Sequence, residues 1–207
     1  MSDAVPPVDR PQAPPRDQVE LKFSPRAVKE LEKLFGHYPD RKSAILPALW
    51  IAQREYGGYL PPNALAEVAV RLGRPYAEIE GVATFYSMLE RREVGKHVIE
   101  VCTCMTCHVR GAYRILDYLL AKLGIGLNET TPDGMFTVKE VECLGACDRA
   151  PLLQVGSEYV GPVDERKIDE LIAGLREAEE SRHIQLASDI IRSHLTAAEQ
   201  AEIGGEP

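Results

Sequence analysis

The sequence predicts an α+β protein in which a small N-terminal helical bundle precedes a small α/β layer. Three observations carry this. Apolar residues recur at helical spacing from Ser24 to Leu89, punctuated by proline and glycine. The period changes at Lys96, where short alternating or fully apolar runs begin. All five cysteines fall between 102 and 147, inside the second part. The expected organisation is an arm over 1–18, a helical bundle over 19–95, an α/β domain over 96–179 and a C-terminal extension over 180–207.

The arm, "MSDAVPPVDRPQAPPRDQ", is proline-rich and charged with little to bury, which predicts disorder. Ser24 then supplies a cap and Pro25 suits the first helical position, with Val28, Leu31, Leu34 and Phe35 on one face before Gly36. A second helix is predicted from about Lys42 to Tyr56, and its Pro47 is tolerable only in the first turn. A third follows Pro61-Pro62, turns Leu65, Val68, Ala69 and Leu72 inward and stops at Gly73. A fourth runs from Pro75 to about Leu89 through Ile79, Val82, Ala83 and Tyr86. Four short amphipathic helices joined by tight turns make a bundle.

In the second part, "HVIEV" (97–101) predicts a buried strand leading into Cys102. Gly111 to Leu123 predicts a helix, and "MFTVKEV" (135–141) a strand that delivers the chain to Cys143. "LLQVGSEYVG" (152–161) predicts a hairpin about Gly156-Ser157, and Asp164 caps a helix through Leu175. The order is β-α-β-β-α. Beyond 180 the chain is mostly polar, with one amphipathic pattern at 184–195.

Composition narrows the function. A net charge of −8 argues against a nucleic-acid partner, because phosphate binding needs a basic face. No apolar run approaches the ~20 residues that span a bilayer, and the N-terminus lacks the apolar core of a secretory signal. Cysteines of a cytosolic chain are expected as thiols, metal ligands or catalytic groups rather than as a disulfide framework. No glycine-rich phosphate loop follows a strand, so NADH or flavin is not expected on this chain. His37, His97, His108, His183 and His194 have no ligand spacing and are expected as surface or partly packed imidazoles.

The chemistry is concentrated in "VCTCMTCHVRG" (101–111) and "VECLGACDRAP" (141–151). Four thiolates suit tetrahedral Zn²⁺ or an iron–sulfur cluster. Cys104-x-x-Cys107 would serve as a zinc knuckle, but Cys143-x-x-x-Cys147 is a less typical partner for it. In a [2Fe-2S] cluster each iron needs two thiolates, and the wider Cys102-x4-Cys107 loop is suited to wrap one iron. A plant-type ferredoxin would need a cysteine where Arg110 stands, and a Rieske centre would need C-x-H pairs that are missing. A thioredoxin-like redox pair at Cys104 and Cys107 requires a helix beginning at the first cysteine, whereas the expected helix starts at Gly111. Simple buried cysteines remain the bland alternative.

"VGKHVIEVCTCMTCHVRGA", "VKEVECLGACDRAP" and the helical "ILPALWIAQREYGGYLPPNALAEVAVRLG" and "EGVATFYSML" together resemble one family. It is the small thioredoxin-like [2Fe-2S] subunit of NADH-quinone oxidoreductase (complex I), with the likeness covering roughly 24–178. The same module occurs in the diaphorase parts of soluble hydrogenases and formate dehydrogenases. The resemblance implies a thioredoxin-like [2Fe-2S] ferredoxin domain behind the bundle, with Cys102, Cys107, Cys143 and Cys147 as ligands. It implies an electron-transfer subunit without its own NADH chemistry. FMN and NADH then belong to a flavin-bearing partner subunit, accompanied by further iron–sulfur subunits. The expected place is the peripheral arm, on the cytoplasmic face, without membrane insertion. The competing class is a zinc-stabilised binding module. Cys104 departs from the family pattern and leaves a ligand swap open; Gly156 departs from a common asparagine.

Overall fold

The computed structural model describes residues 13–204. The expected disordered arm therefore lies outside the described residues as far as residue 12. Residues 13–18 carry only a 3₁₀ turn, Arg16–Gln18, with no buried residue.

Helices α1 (Pro25–His37), α2 (Ile45–Glu55), α3 (Pro62–Leu72) and α4 (Tyr76–Phe85) form the bundle. Local chemistry sets their ends: Ser24 accepts from the Ala27 amide, Pro47 falls in the first turn of α2, and Gly73 closes α3 in the left-handed region. Their core joins Leu34, Leu49, Ile51, Leu65, Val68 and Ile79. Helix α4 stops earlier than its apolar spacing predicts. The Gln53 side chain donates to the Met88 carbonyl and accepts from the Glu90 amide, while Leu60 N donates to the Glu90 carbonyl. These tertiary bonds hold 86–90 outside the helix, in a turn closed by the Leu89 amide donating to the Tyr86 carbonyl, and one helical turn is lost to them.

The second part contains β1 (His97–Cys102), α5 (Met105–Val109), α6 (Ala112–Leu123), β2 (Phe136–Val141), β3 (Leu153–Val155), β4 (Glu158–Val160) and α7 (Glu165–Glu177). The sheet order is β2-β1-β3-β4. Strands β1 and β2 are parallel, with Cys102 opposite Val141, and the other neighbours are antiparallel. Alternation sends Ile99, Val101, Phe136, Val138, Leu153 and Val155 into a core shared with α6 and α7. The intervening positions put Lys139, Glu100, Gln154 and Tyr159 in one row across the opposite face. This polar face turns toward the bundle across a cleft of about 500 Å³, lined by Trp50, Met88, Leu186 and Ile190 and reaching Cys143.

The C-terminal segment forms two helices where its pattern predicts one: α8 (Arg182–Ser193) and α9 (Ala197–Gly204). Ala187, Ile191, Leu195 and Ile203 enter the bundle core. Thr196 and Glu199 cap α9 reciprocally, an S/T-x-x-E signal that stands in the sequence. Two of the five histidines are also more enclosed than expected, since His97 and His183 are buried.

Candidate metal centre

Parallel pairing decides where the cysteines go. Strands β1 and β2 run side by side in the same direction, so the loops that follow them leave from the same edge of the sheet. The Cys102 amide donates to the Leu152 carbonyl and the Thr103 amide to the Val141 carbonyl, which fixes the start of the first loop. The first loop closes into the single-turn helix α5, and the second carries Cys143, Gly145 and Cys147 into a 3₁₀ turn, Cys147–Arg149. Gly145 sits at φ +76°, a conformation that a side chain at that position would resist.

The thiols meet in two overlapping groups. Sulfurs of Cys102, Cys104 and Cys107 lie within 4.8 Å of one another, and so do those of Cys104, Cys143 and Cys147. Cys102 and Cys107 are buried beneath the loop, Cys104 is half-buried, and Cys143 and Cys147 are exposed. Ala112, Ala150 and Leu152 pack against the buried pair.

The sulfurs perturb one another. Burial, and then the Cys102 thiol, push Cys107 up to about 12. Burial also acts to raise Cys104, but the Cys143 thiol, the Thr106 and Cys107 amides and the Cys102 thiol outweigh it and lower that group. For Cys143 the Gly145 amide favours the thiolate, yet the Cys104 thiol and charge prevail and raise it. Arg149 is 3.7 Å from Asp148 on the exposed rim, so part of its positive charge is already answered.

The donor set fits a [2Fe-2S] cluster. All contributors are thiols, the soft ligands that select zinc, copper(I) or iron–sulfur centres. Among the described residues no four of them converge on a single point; they form two centres joined through Cys104. A two-iron cluster takes two thiolates at each iron, whereas structural zinc needs one tetrahedron.

The structure corrects one ground of the sequence reasoning. A helix does start at the first cysteine of the CxxC pair, since Cys104 is the residue preceding α5. Five residues without proline or glycine carried no periodic signal of their own. What separates the pair from a stand-alone redox dithiol is its company, because Cys104 contacts the thiols of Cys143 and Cys102.

A family model of the thioredoxin-like [2Fe-2S] ferredoxin matches residues 31–176. The chain belongs to this family. As a thioredoxin-like [2Fe-2S] ferredoxin, its cofactor is the [2Fe-2S] cluster that the thiols accommodate. It is 42% identical over 160 residues to the NADH-quinone oxidoreductase E 2 subunit of Rhizobium meliloti, covering 77% of this chain and 95% of that relative. It is also 42% identical over 159 residues to NADH-quinone oxidoreductase subunit 2 of Thermus thermophilus, covering 75% and 87% respectively. Among solved structures, an NAD⁺-reducing [NiFe]-hydrogenase in the air-oxidized state aligns at TM-score 0.55 and 25% identity. That alignment takes in 63% of this ferredoxin but only 23% of the hydrogenase chain. Helices α8 and α9 lie beyond the matched family region.

Proposed function

We infer that this chain is an electron-transfer subunit of an NADH:quinone oxidoreductase, with Cys102, Cys107, Cys143 and Cys147 as the ligands of one [2Fe-2S] cluster. The observation that carries this is the convergence of two thiol pairs at one sheet edge, on a chain that spans 95% of the Rhizobium meliloti relative. When bound, such a cluster supplies a one-electron carrier whose negative charge grows by one on reduction.

The chain's own residues then divide the work. Strands β1 and β2 hold both loops in register, so the ligands start near their working positions. Cys102 and Cys107, buried under Ala112 and Leu152, keep water from one side. Loading requires thiolates, so Cys107, held up at about 12 in the free protein, must release its proton as metal enters. Cys143 and Cys147 leave the other side open to a partner. Met105 and Val109, 78% and 75% exposed, stand on α5 directly after Cys104, and Tyr113, 42% exposed, stands in the first turn of α6. Exposed apolar side chains on and just after the first cysteine loop are suited to docking a flavin-bearing, NADH-oxidising subunit close enough for electron transfer. Further iron–sulfur subunits complete the proposed complex, in a peripheral arm at the cytoplasmic face. No helix of the described residues is long and apolar enough to cross a membrane.

The likeness to the NAD⁺-reducing hydrogenase favours a second reading, the same module in a hydrogenase. Affinity purification of the tagged full-length chain from its own cells distinguishes them. A flavin-bearing NADH-oxidising subunit with quinone-reducing partners is expected, and Val109→Asp should weaken its recovery. Nickel–iron subunits in place of the quinone-reducing partners would support the second reading. Recovery of no flavoprotein would contradict both.

A further inference from the structure

A two-iron cluster takes four thiolates, and five thiols converge here. The fifth is not at the margin. Cys104 lies within 4.8 Å of Cys102 and Cys107 and also of Cys143 and Cys147, and no other cysteine belongs to both groups. Its thiol has those of Cys102 and Cys143, one from each group, as direct neighbours. Resting on the ligand set proposed above, we propose that Cys104 is a reserve ligand, taking the place of Cys102 or of Cys143 when either thiolate is lost.

The exchange balances without any redox partner. One iron–sulfur bond to Cys102 or Cys143 breaks and one to Cys104 forms. The proton leaving the Cys104 thiol would pass to the departing thiolate or, where that thiol has been removed, to solvent, and no oxidation state would change. Replacing Cys102 leaves Cys104-x-x-Cys107, a spacing that chelates across the single turn of α5. Replacing Cys143 leaves Cys104 with Cys147, already within reach of each other. Cys107 is different. Losing it would leave Cys102-x-Cys104, closer than the C-x₂₋₄-C spacing at which two thiolates chelate one metal. Cys143 is one of the two exposed ligand positions and so is open to oxidants, and a reserve thiol is useful there.

The test uses the full-length chain purified anaerobically, with iron and acid-labile sulfide counted per chain and the reduced form examined by electron paramagnetic resonance. Cys104→Ser should match wild type in all three. Cys102→Ala and Cys143→Ala should keep iron and sulfide but show shifted resonances. Cys107→Ala, and the doubles Cys102→Ala/Cys104→Ser and Cys143→Ala/Cys104→Ser, should lose the cluster. If a single variant at Cys102 or Cys143 is as empty as its double while Cys104→Ser stays intact, the reserve role at that ligand is overturned and the ligand set stands. If Cys104→Ser alone is empty, Cys104 is a primary ligand and both proposals fall. The Cys143 arm is independent of core folding, because that residue lies on an exposed loop.

Discussion

The cysteine edge and the C-terminal clasp lie at different places in this molecule and are built by opposite means. At the edge, five thiols come from two short segments that adjacent parallel strands place side by side. The chemistry is local in sequence, and only the pairing of β1 with β2 is long-range. The clasp has no such motif. Helix α8 is held by contacts scattered across the chain: Ser181 Oγ donates to the Lys96 carbonyl, and the backbone at Arg182 meets the hairpin at Gly156. His183 Nε2 must carry its proton, because its partner 2.8 Å away is the Gly58 carbonyl, which only accepts. Helix α9 adds an ion pair from Lys33 to Glu202 and a hydrogen bond between His37 and Glu199. A metal site can thus be written in a dozen residues, whereas a docking surface is written in none of them singly.

Removing the clasp should have the largest effect on stability. A chain ending at 179 exposes the sites filled by Ile191, Leu195 and Ile203. Each such side chain contributes about 1.5–3 kcal/mol by burial. The expected loss is on the order of 5 kcal/mol, or roughly 10–20 °C in thermal midpoint for a chain of this size. Iron and sulfide content should be unchanged in the truncated chain. Loss of iron with the truncation would show that the two regions are coupled, and the cleft joining Leu186 and Ile190 to Cys143 would be the path.

Gly156→Asn sharpens the same comparison at one atom. A Cβ at that position would lie 2.5 Å from the Arg182 carbonyl oxygen, while asparagine tolerates the φ of +59° found there. The cost is therefore steric, about 1–3 kcal/mol. It should vanish in the chain ending at 179, where Arg182 is absent. Equal destabilisation in both backgrounds would refute the docking explanation.

These contacts show what the sequence could disclose. The two cysteine clusters, the hairpin and the caps at Ser24 and Asp164 are legible because neighbouring residues determine them. Gly156 was visible as a departure from relatives, but its reason sits 26 positions away at Arg182. The bundle hides a similar lesson. Glu67 has no exposed side-chain surface and accepts from the Lys22 and Phe23 amides, the Tyr56 hydroxyl and Arg71. Glu30, also buried, is paired with Arg54. Helical spacing marks such carboxylates as outward, because their partners come from other elements. Helix α5 was missed for being one turn long, and the end of α4 because Gln53 pulls the chain away from it.

The smallest effect concerns pH. Burial lowers His183 below its ordinary value of 6.5, with Glu90 and the Gly58 carbonyl opposing and Lys139 assisting. A lowered histidine leaves its contribution fully present above pH 6.5, and stability falls as pH drops from there toward the folded value. His97 is lowered in the same sense, and Glu100, raised by burial, works in the opposite one. The informative quantity is therefore a difference: between pH 7.5 and 5.5, wild type should lose more thermal stability than His183→Gln. Parallel slopes would remove His183 from the clasp's energetics. Asp133 and Glu199, both held at about 2, titrate well below this range.

The account's central claim is that the cysteine edge holds one two-iron cluster. Its most direct test is metal and sulfide analysis of the anaerobically purified full-length chain, combined with spin counting after dithionite reduction. Two irons, two acid-labile sulfides and one unpaired spin per chain are predicted. One zinc per chain, with neither sulfide nor a paramagnetic reduced form, would contradict it.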